Sequence, residues 1–301
     1  MQRSPYLVFL PVLLCTLLWG SAFPCIKLVY QHWADLGLEI GLFDRWLFAG
    51  MRFVIAGAVL LLLARQPRDE WRETPKKYIL LLSMGQTLFQ YVFFYLGLSL
   101  ASGSLAALMA STGSFWWMLL APIMLGAAWP QWRQWAGLIV GALGVTLAVY
   151  APGSGAGNPM LGALCVMLAT FFGSVGVVIF SKIKPTMGAR AATGFSLFLG
   201  GVGLCLLGLP AWSKAAVLFD SYVMMLTAWL VVVSATAFAV WNHISTLYPV
   251  HLLASCRFLI PVFGVLLSLS FLEGESAGWG LVLGGVLVIG SAIFATLTKR
   301  N

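Results

Sequence analysis

The sequence predicts an all-α polytopic membrane protein in which ten transmembrane helices form two inverted five-helix repeats. Of its 301 residues, 61% are hydrophobic and only 9% are charged, whereas an ordinary soluble domain carries about 25% charged residues. The 26 charged side chains (17 Lys and Arg, 9 Asp and Glu) could not cover the surface of a soluble protein of this length. The excess apolar area must therefore face lipid. Because a spanning helix takes about 20 apolar residues, the chain holds up to ten spans and no sizeable soluble domain.

Ten apolar runs, separated by short loops, are the candidate spans. They are Tyr6–Lys27, Leu47–Ala64, Tyr78–Leu98, Ser104–Gly126, Gln134–Tyr150, Met160–Ser181, Ala191–Trp212, Tyr222–Ile244, Leu252–Leu272 and Ala277–Thr298. The apolar character of the first run continues to Tyr30, which is longer than the apolar region of a typical signal peptide. We therefore predict that the first helix is retained.

The distribution of Lys and Arg between alternate loops predicts the orientation, because cytoplasmic loops carry the excess of positive charge. With the N-terminus inside, the inner side holds Arg3, Arg65, Arg68, Arg72, Lys76, Lys77, Arg133, Lys182, Lys184, Arg190, Lys299 and Arg300. The outer side holds only Arg45 and Lys214, with Lys27 near the outer end of the first helix. Both termini are therefore predicted to be cytoplasmic.

The chain divides at an uncharged Gly/Pro-rich link, residues 151–159, into repeats at 1–152 and 153–301. Each repeat has a Gly-Ser pair in its first helix, Gly20-Ser21 and Gly173-Ser174, and each closes with a glycine-rich span. An odd number of helices in each repeat places the two repeats in opposite orientation. Transporters often use this architecture, with a binding site near the midplane between the repeats.

Four sequence features, in order along the chain, resemble one family of transporters. The segment Leu17–Lys27 (LLWGSAFPCIK) is similar to the opening helix of the EamA family, within the drug/metabolite transporter superfamily, and Arg52–Gly57 (RFVIAG) is similar to its second helix. Phe258–Gly264 (FLIPVFG) and Phe271–Glu275 (FLEGE) resemble its ninth-helix pattern. The resemblance implies a ten-helix exporter of small metabolites in the bacterial inner membrane, and it selects no substrate.

Two arginines are the strongest candidates for binding a substrate inside the membrane. Arg257 lies in the ninth predicted helix and Arg52 in the second, and no Asp or Glu lies well inside any predicted span. Charges in the hydrocarbon layer are costly and commonly functional. A guanidinium without a carboxylate partner favours a ligand that carries a carboxylate or a phosphate. The alternative is that each side chain extends to the nearer membrane surface.

Polar and aromatic side chains in other spans complete the predicted substrate site. Hydrogen bonds are expected from Asn242, His243, Gln86 and Gln90, and aromatic cavity walls from Trp241, Trp116 and Trp19. Bonding between helices is the alternative for Asn242 and His243, and a position at the membrane interface is the alternative for the tryptophans.

We therefore expect an inner-membrane exporter of small organic metabolites, amino-acid-like zwitterions or organic anions, that works by alternating access. A flippase for lipid or lipid-linked substrates is the alternative. The sequence has no repeated filter-like segment, which argues against a channel. It also has no HExxH motif, which a metalloprotease would need, and we predict no enzyme activity, no cofactor and no metal. The five cysteines show no paired spacing. We expect membrane lipids and a small-molecule substrate as partners, no nucleic acid, and a monomer as the working oligomeric state.

Overall fold

The computed structural model describes residues 9–126, 129, 131–150, 157–247, 257, 259–276 and 278–297, and all regular structure in these ranges is helical. The α-helices are α1 (Phe9–Asp35), α2 (Leu42–Leu63), α3 (Pro67–Glu73), α4 (Lys76–Ser83), α5 (Gln90–Leu100), α6 (Gly103–Ala110), α7 (Gly113–Leu125), α8 (Trp132–Val149), α9 (Pro159–Ile183), α10 (Ala189–Gly208), α11 (Ser221–Leu247), α12 (Leu259–Phe271) and α13 (Trp279–Leu297). A π-helical segment, Met84–Phe89, joins α4 to α5, and a 3₁₀ helix, Leu209–Phe219, continues α10.

Seven helical segments in the described ranges are long and apolar enough to cross a membrane. They are Phe9–Asp35, Leu42–Leu63, Lys76–Leu100, Gly103–Met124, Pro159–Ile183, Ala189–Phe219 and Ser221–Ser245. Shorter apolar helices lie at the other three predicted spans, over Trp135–Ala148, Leu259–Phe271 and Trp279–Ser291. The polytopic, all-helical prediction is therefore confirmed, while a total of ten spans stays a prediction.

The third and fourth predicted spans, which the sequence presents as regular helices, both depart from α-helical geometry near their middle. The third contains the π-helical segment. The fourth turns at Ser111 and Thr112, between α6 and α7. The Ser111 hydroxyl donates to the carbonyl of Leu108 and the Thr112 hydroxyl to that of Met109, both at 2.7 Å. Bonds of this kind from Ser and Thr to a preceding carbonyl compete with regular helical bonding.

The helices pack in pairs that join the first half of the chain (residues 9–150) to the second (residues 157–297). The α2 helix lies along α10, and α8 lies along α13. The α1 helix packs on α11 and α12, while α9 packs on α5 and on α7. Helices from both halves therefore surround the centre of the bundle.

The α2–α10 contact depends on glycines that allow the two backbones to approach closely. A Cβ atom at Gly50 would lie 2.6 Å from the backbone nitrogen of Cys205 and 2.8 Å from the carbonyl oxygen of Gly201. A Cβ atom at Gly57 would overlap the backbone nitrogen of Phe198 and lie 2.8 Å from the carbonyl oxygen of Gly194. Small residues at such contacts let helices associate in lipid through close packing.

We expect Gly57→Ala to destabilise the protein, because the added methyl group meets backbone atoms that cannot rotate away. Overpacking of this kind costs about 1–3 kcal/mol, and the thermal unfolding midpoint of the purified protein in detergent should fall. Gly290→Ala is the matched control, since Gly290 is also helical and has no atom within 4 Å of its Cβ position. Equal midpoints for the two variants would contradict the close α2–α10 contact.

Candidate functional site

A cavity of about 110 Å³ lies between the two halves of the chain. Its lining residues come from α1, α2, the π-helical segment, α5, α6, α9, α11 and the start of the α12 region. They are Trp19, Ala22, Phe23, Arg52, Gln86, Gln90, Tyr91, Phe94, Ala110, Ala169, Thr170, Gly173, Val177, Val233, Ser234, Phe238, Trp241, Arg257 and Ile260. Because both halves supply the walls, the cavity changes shape whenever the halves move relative to one another.

Arg52 reaches the cavity from a buried position on α2, where its side chain is only 2% exposed. Its Nη1 donates to the Tyr95 hydroxyl at 2.9 Å, and its Cζ lies 4.2 Å from the ring centre of Phe53 and 5.5 Å from that of Tyr91. Its Nε has no hydrogen-bond partner. Aromatic faces attract a guanidinium through cation–π interaction, so these rings hold the Arg52 side chain in place beside the cavity.

Arg257 lies at the other side of the cavity, close to the break in the fourth span. A Cβ atom at Gly113, the first residue of α7, would lie 3.4 Å from the Arg257 Nη2 atom and 3.5 Å from Thr170 Cβ. Among the described residues no carboxylate forms an ion pair with Arg257 or with Arg52, since the ion pair found there joins His32 to Asp220. Two arginines without carboxylate partners therefore line one small cavity.

Three other buried polar groups of the cavity wall have no hydrogen-bond partner. They are the Trp19 Nε1 donor, the Gln86 Oε1 acceptor and the Ser234 Oγ atom. Gln86 is 4% exposed and Ser234 is 1% exposed. A buried polar group without a partner costs about 1–3 kcal/mol, and buried polar groups in proteins are usually satisfied. A ligand with both donor and acceptor groups would satisfy them.

Glycines of α9 allow the two glutamines to lie against that helix. A Cβ atom at Gly173 would lie 2.5 Å from Gln90 Oε1, and one at Gly176 would lie 2.6 Å from Gln86 Cβ. Gln86 lies within the π-helical segment Met84–Phe89, and π-helical turns occur frequently at functional sites. The Gly-x-x-Gly spacing on α9 and the widened turn opposite it thus position both amides at the cavity.

Aromatic side chains from both halves form the apolar wall of the cavity. The Trp19 ring lies 5.3 Å, between ring centres, from both Phe238 and Trp241. Phe23 and Phe94 pack on each other at 5.5 Å. Edge-to-face and tilted contacts of this kind are the preferred arrangements of aromatic pairs. The wall therefore suits the apolar part of an amphipathic molecule.

The structure brings together six of the nine side chains that the sequence singles out for substrate binding. Those at the cavity are Arg257, Trp241, Gln86, Gln90, Trp19 and Arg52.

The other three lie outside the cavity lining. Asn242 donates to the Thr193 hydroxyl at 2.7 Å and so links α11 to α10, which is the alternative that the sequence left open. Trp116 donates to the Met167 carbonyl at 2.9 Å. His243 is exposed, because it lies on a different face of α11 from Trp241.

Sequence reasoning missed Ser234 and Tyr91, which also line the cavity. Ser234, Phe238 and Trp241 follow one another at spacings of four and three, so they share one face of α11. Because Trp241 was already a candidate, this spacing could have predicted that Ser234 also faces the cavity. Nothing in the sequence indicates that Tyr91 and Tyr95 close around Arg52, because that contact joins α5 to α2 across the bundle.

Contacts join the two halves at the end of the bundle where α1 stops and α2 begins, which we call the α1–α2 end. The Glu275 carboxylate accepts from the backbone nitrogens of Gly103, at 2.5 Å, and Ser104, at 2.9 Å. His32 Nε2 lies 3.0 Å from Asp220 Oδ1. A carboxylate at a helix N-terminus is stabilised by the helix dipole, so Glu275 joins the second half to the start of α6.

At the opposite end, where α2 stops and α3 begins, other contacts join the two halves. Gly188 donates its backbone N–H to Glu70 Oε2 at 2.7 Å. The Thr74 and Thr186 hydroxyls lie 2.9 Å apart. The cavity therefore has contacts between the halves at both ends of the bundle.

The Asp220 carboxylate at the α1–α2 end should give the stability a dependence on pH. The backbone N–H of Val223 chiefly holds the pKa of Asp220 below its ordinary value of 3.8, desolvation opposes this, and His32 and Tyr222 contribute further hydrogen bonds. A carboxyl group whose pKa is lowered by folding stabilises the folded state above the ordinary pKa, and this stabilisation disappears as pH falls through the lowered pKa. We therefore expect wild type to be more stable than Asp220→Asn at pH 5 and this advantage to shrink as the pH falls below 4.

The measurement is the unfolding midpoint of both proteins between pH 3 and pH 7. Asp35→Asn, which removes an exposed carboxyl group at the same end of the bundle, is the matched control. An advantage over Asp220→Asn that stays constant down to pH 3 would contradict the role of the Asp220 carboxylate.

Among the described residues, no group of three or more His, Cys, Asp or Glu side chains is arranged to hold a metal ion. Cys15, Cys25, Cys165 and Cys205 are free thiols, and Cys256 lies outside the described residues.

Comparison with known proteins gives a family and a fold. Residues 7–150 match the model of the EamA-like transporter family. No curated protein matches the chain. Twelve solved chains match, and one of them, a crystal structure of a protein, superposes with a TM-score of 0.58 at 20% sequence identity over 94% of this chain and 98% of the other. At that identity the likeness shows the fold alone, and it covers both halves.

Proposed function

Residues 7–150 belong to the EamA-like transporter family of the drug/metabolite transporter superfamily, and on this premise we propose that the protein transports small organic metabolites with an anionic group across the membrane. The substrates are organic anions or amino-acid-like zwitterions. The single observation that carries the proposal is the cavity between the halves, in which two arginines without carboxylate partners face an aromatic wall.

The chemistry of the cavity supports this substrate class. The guanidinium groups of Arg257 and Arg52 suit a carboxylate or sulfonate, which a guanidinium binds in a fixed geometry. The unpartnered acceptor of Gln86 and the hydroxyl of Ser234 suit a donor such as an ammonium group. The tryptophans accommodate an apolar body. A substrate with all three features matches the charged, polar and apolar parts of the cavity wall.

The size of the cavity favours a metabolite over a lipid. Sites for drug-sized ligands usually have volumes of about 300–1,000 Å³, whereas this cavity has about 110 Å³. A lipid-linked molecule would need a site several times larger. For this reason we rank a flippase of the same architecture as the second candidate, after a metabolite transporter.

The helix packing supports a ten-span bundle of two inverted five-helix repeats. We match α1 with α9, α2 with α10, α4–α5 with α11, α6–α7 with α12 and α8 with α13. Under this matching each of the most extensive helix contacts corresponds to another such contact or to itself. The α1–α11 contact corresponds to α9 with α5, and α1–α12 corresponds to α9 with α7. This is the pattern that a two-fold axis between the repeats would produce.

A central cavity with contacts between the halves at both ends of the bundle supports alternating access as the mechanism. In this mechanism the contacts of the α1–α2 end and those of the opposite end break in turn, and each opening exposes the same arginines to one side. The excess of Lys and Arg on the predicted inner side supports cytoplasmic termini and a bacterial inner-membrane location. Export is the direction that we propose from the family resemblance.

A ligand panel tests the substrate class. We expect benzenesulfonate (an anion) and L-phenylalanine (a zwitterion) to raise the unfolding midpoint of the purified protein, because a ligand that binds only the folded state stabilises it by RT ln(1 + [L]/Kd). Benzamide, which is neutral and of similar size, should give a smaller shift. Equal shifts from all three compounds, or stabilisation by lipids alone, would contradict the proposal.

A further inference from the structure

The π-helical segment Met84–Phe89 lies between α9 and α10 and packs closely on both helices. On one side, a Cβ atom at Gly176 of α9 would lie 2.6 Å from Gln86 Cβ and 2.9 Å from the Gln86 backbone nitrogen. On the other side, a Cβ atom at Gly200 of α10 would overlap the Cβ atom of Thr87. Gln86 therefore faces α9 and the cavity, whereas Thr87 faces α10.

A buried hydrogen bond joins this segment to α10. The Thr87 and Ser196 hydroxyl oxygens lie 3.0 Å apart, and both side chains are fully buried. One turn earlier, the Ser83 hydroxyl lies 3.4 Å from the Phe195 carbonyl oxygen of the same helix. Separating a pair of hydroxyls in an apolar interior is costly, because each group would be left without a partner. The bond therefore fixes the rotation of the segment relative to α10.

The rotation of the π-helical segment decides where the Gln86 amide lies. Gln86 and Thr87 are consecutive residues, so a rotation that moves Thr87 away from Ser196 also turns Gln86 along α9. The Gln86 side chain lines the cavity, is 4% exposed, and has an Oε1 atom without a hydrogen-bond partner. Thr87 is not among the residues that line the cavity. Any effect of Thr87 on a ligand therefore passes through its neighbour.

We propose that the Thr87–Ser196 hydrogen bond determines substrate specificity by positioning the Gln86 amide to accept from an ammonium group. This inference rests on the proposed function and deepens it. The arginines bind the anionic group of every substrate, and the Gln86 acceptor selects the zwitterions among them. Thr87 and Ser196 are positioning residues. Their loss reduces the preference for a zwitterion over the matching anion and leaves the binding of that anion unchanged.

The test compares L-phenylalanine with 3-phenylpropanoate, which is the same molecule without its ammonium group. Titrations of the unfolding midpoint of the purified protein give both affinities, and the selectivity is their ratio. A hydrogen bond to a charged group contributes about tenfold or more in affinity, so Gln86→Leu should lower the selectivity about tenfold. Thr87→Val replaces the hydroxyl by a methyl group of similar size, and it should lower the selectivity about fivefold because the amide is then held less firmly.

Further variants separate positioning from a general loss of stability. Ser196→Ala breaks the same hydrogen bond from the side of α10 and should lower the selectivity as Thr87→Val does. Thr87→Ser keeps the hydroxyl and should preserve the selectivity. Thr193→Val is the matched control, because Thr193 is a buried hydroxyl on the same helix that accepts from Asn242 at 2.7 Å. This control should lower the unfolding midpoint without changing the selectivity.

The outcomes distinguish this inference from the proposed function. If Gln86→Leu lowers the selectivity but Thr87→Val and Ser196→Ala do not, or if Thr193→Val lowers it equally, the positioning role is wrong and the proposed function stands. If wild type binds both ligands but shows no preference, or keeps its preference in Gln86→Leu, this inference is wrong and the anion site stands. If neither ligand stabilises wild type, both the inference and the proposed function are wrong.

Discussion

Arg257→Gln is expected to weaken the binding of benzenesulfonate and L-phenylalanine by about 30-fold or more. Removing one partner of a buried charge pair costs about 2–5 kcal/mol, and each 1.4 kcal/mol is a factor of ten in affinity. Glutamine retains hydrogen-bonding capacity but removes the positive charge. Because Arg257 has no carboxylate partner among the described residues, its loss leaves no opposite charge unpaired in the empty protein. The unfolding midpoint without ligand should therefore change little.

Titration of each ligand against the unfolding midpoint gives the affinities of wild type and variant. Lys214→Gln removes a cation that does not line the cavity, and it should bind both ligands as wild type does. Equal affinities in wild type and Arg257→Gln would show that Arg257 does not bind the anionic group and that the anion binds elsewhere.

Ala22→Leu is expected to abolish transport while leaving the fold intact. Ala22 lines the cavity on α1 and is 8% exposed. The larger side chain occupies much of a space of about 110 Å³ and excludes the substrate. Because the added atoms enter an existing space, the cost in stability should remain below the 1–3 kcal/mol that is typical of overpacking.

The flux of radiolabelled L-phenylalanine into proteoliposomes measures this effect, with a fall of at least tenfold expected. Ala228→Leu makes the same substitution on an exposed face of α11, where lipid surrounds the added side chain. It should transport as wild type does. A normal flux in Ala22→Leu would show that the substrate path avoids this cavity.

Most of the fold is predictable because the bilayer imposes strong constraints on composition and length. Apolar runs with few charges require internally hydrogen-bonded helices, and helices cover most of the described part of every predicted run. The π-helical segment Met84–Phe89 and the turn at Ser111 and Thr112 were not predictable. Hydropathy is continuous through both, because Ser111 and Thr112 form their bonds to carbonyls of the preceding turn and change the local polarity little.

The candidate site was only partly predictable, because sequence gives the depth of a residue but not the direction in which it faces. Arg52 and Arg257 stand out since their charges are exceptional at that depth, and both line the cavity. Asn242 lies next to Trp241 in the chain, yet it bonds to Thr193 on α10. Neighbouring residues of a helix point in different directions. Trp241 therefore faces the cavity, whereas Asn242 faces α10.

Trans-stimulation in proteoliposomes tests the central claim, transport by alternating access through the cavity, most directly. Vesicles containing the wild-type protein are loaded with unlabelled L-phenylalanine, and the entry of labelled L-phenylalanine is compared with entry into empty vesicles. The account predicts saturable entry that is several-fold faster into loaded vesicles, because the returning protein carries substrate. Entry that rises linearly with concentration and does not respond to loading would contradict the account and indicate a channel.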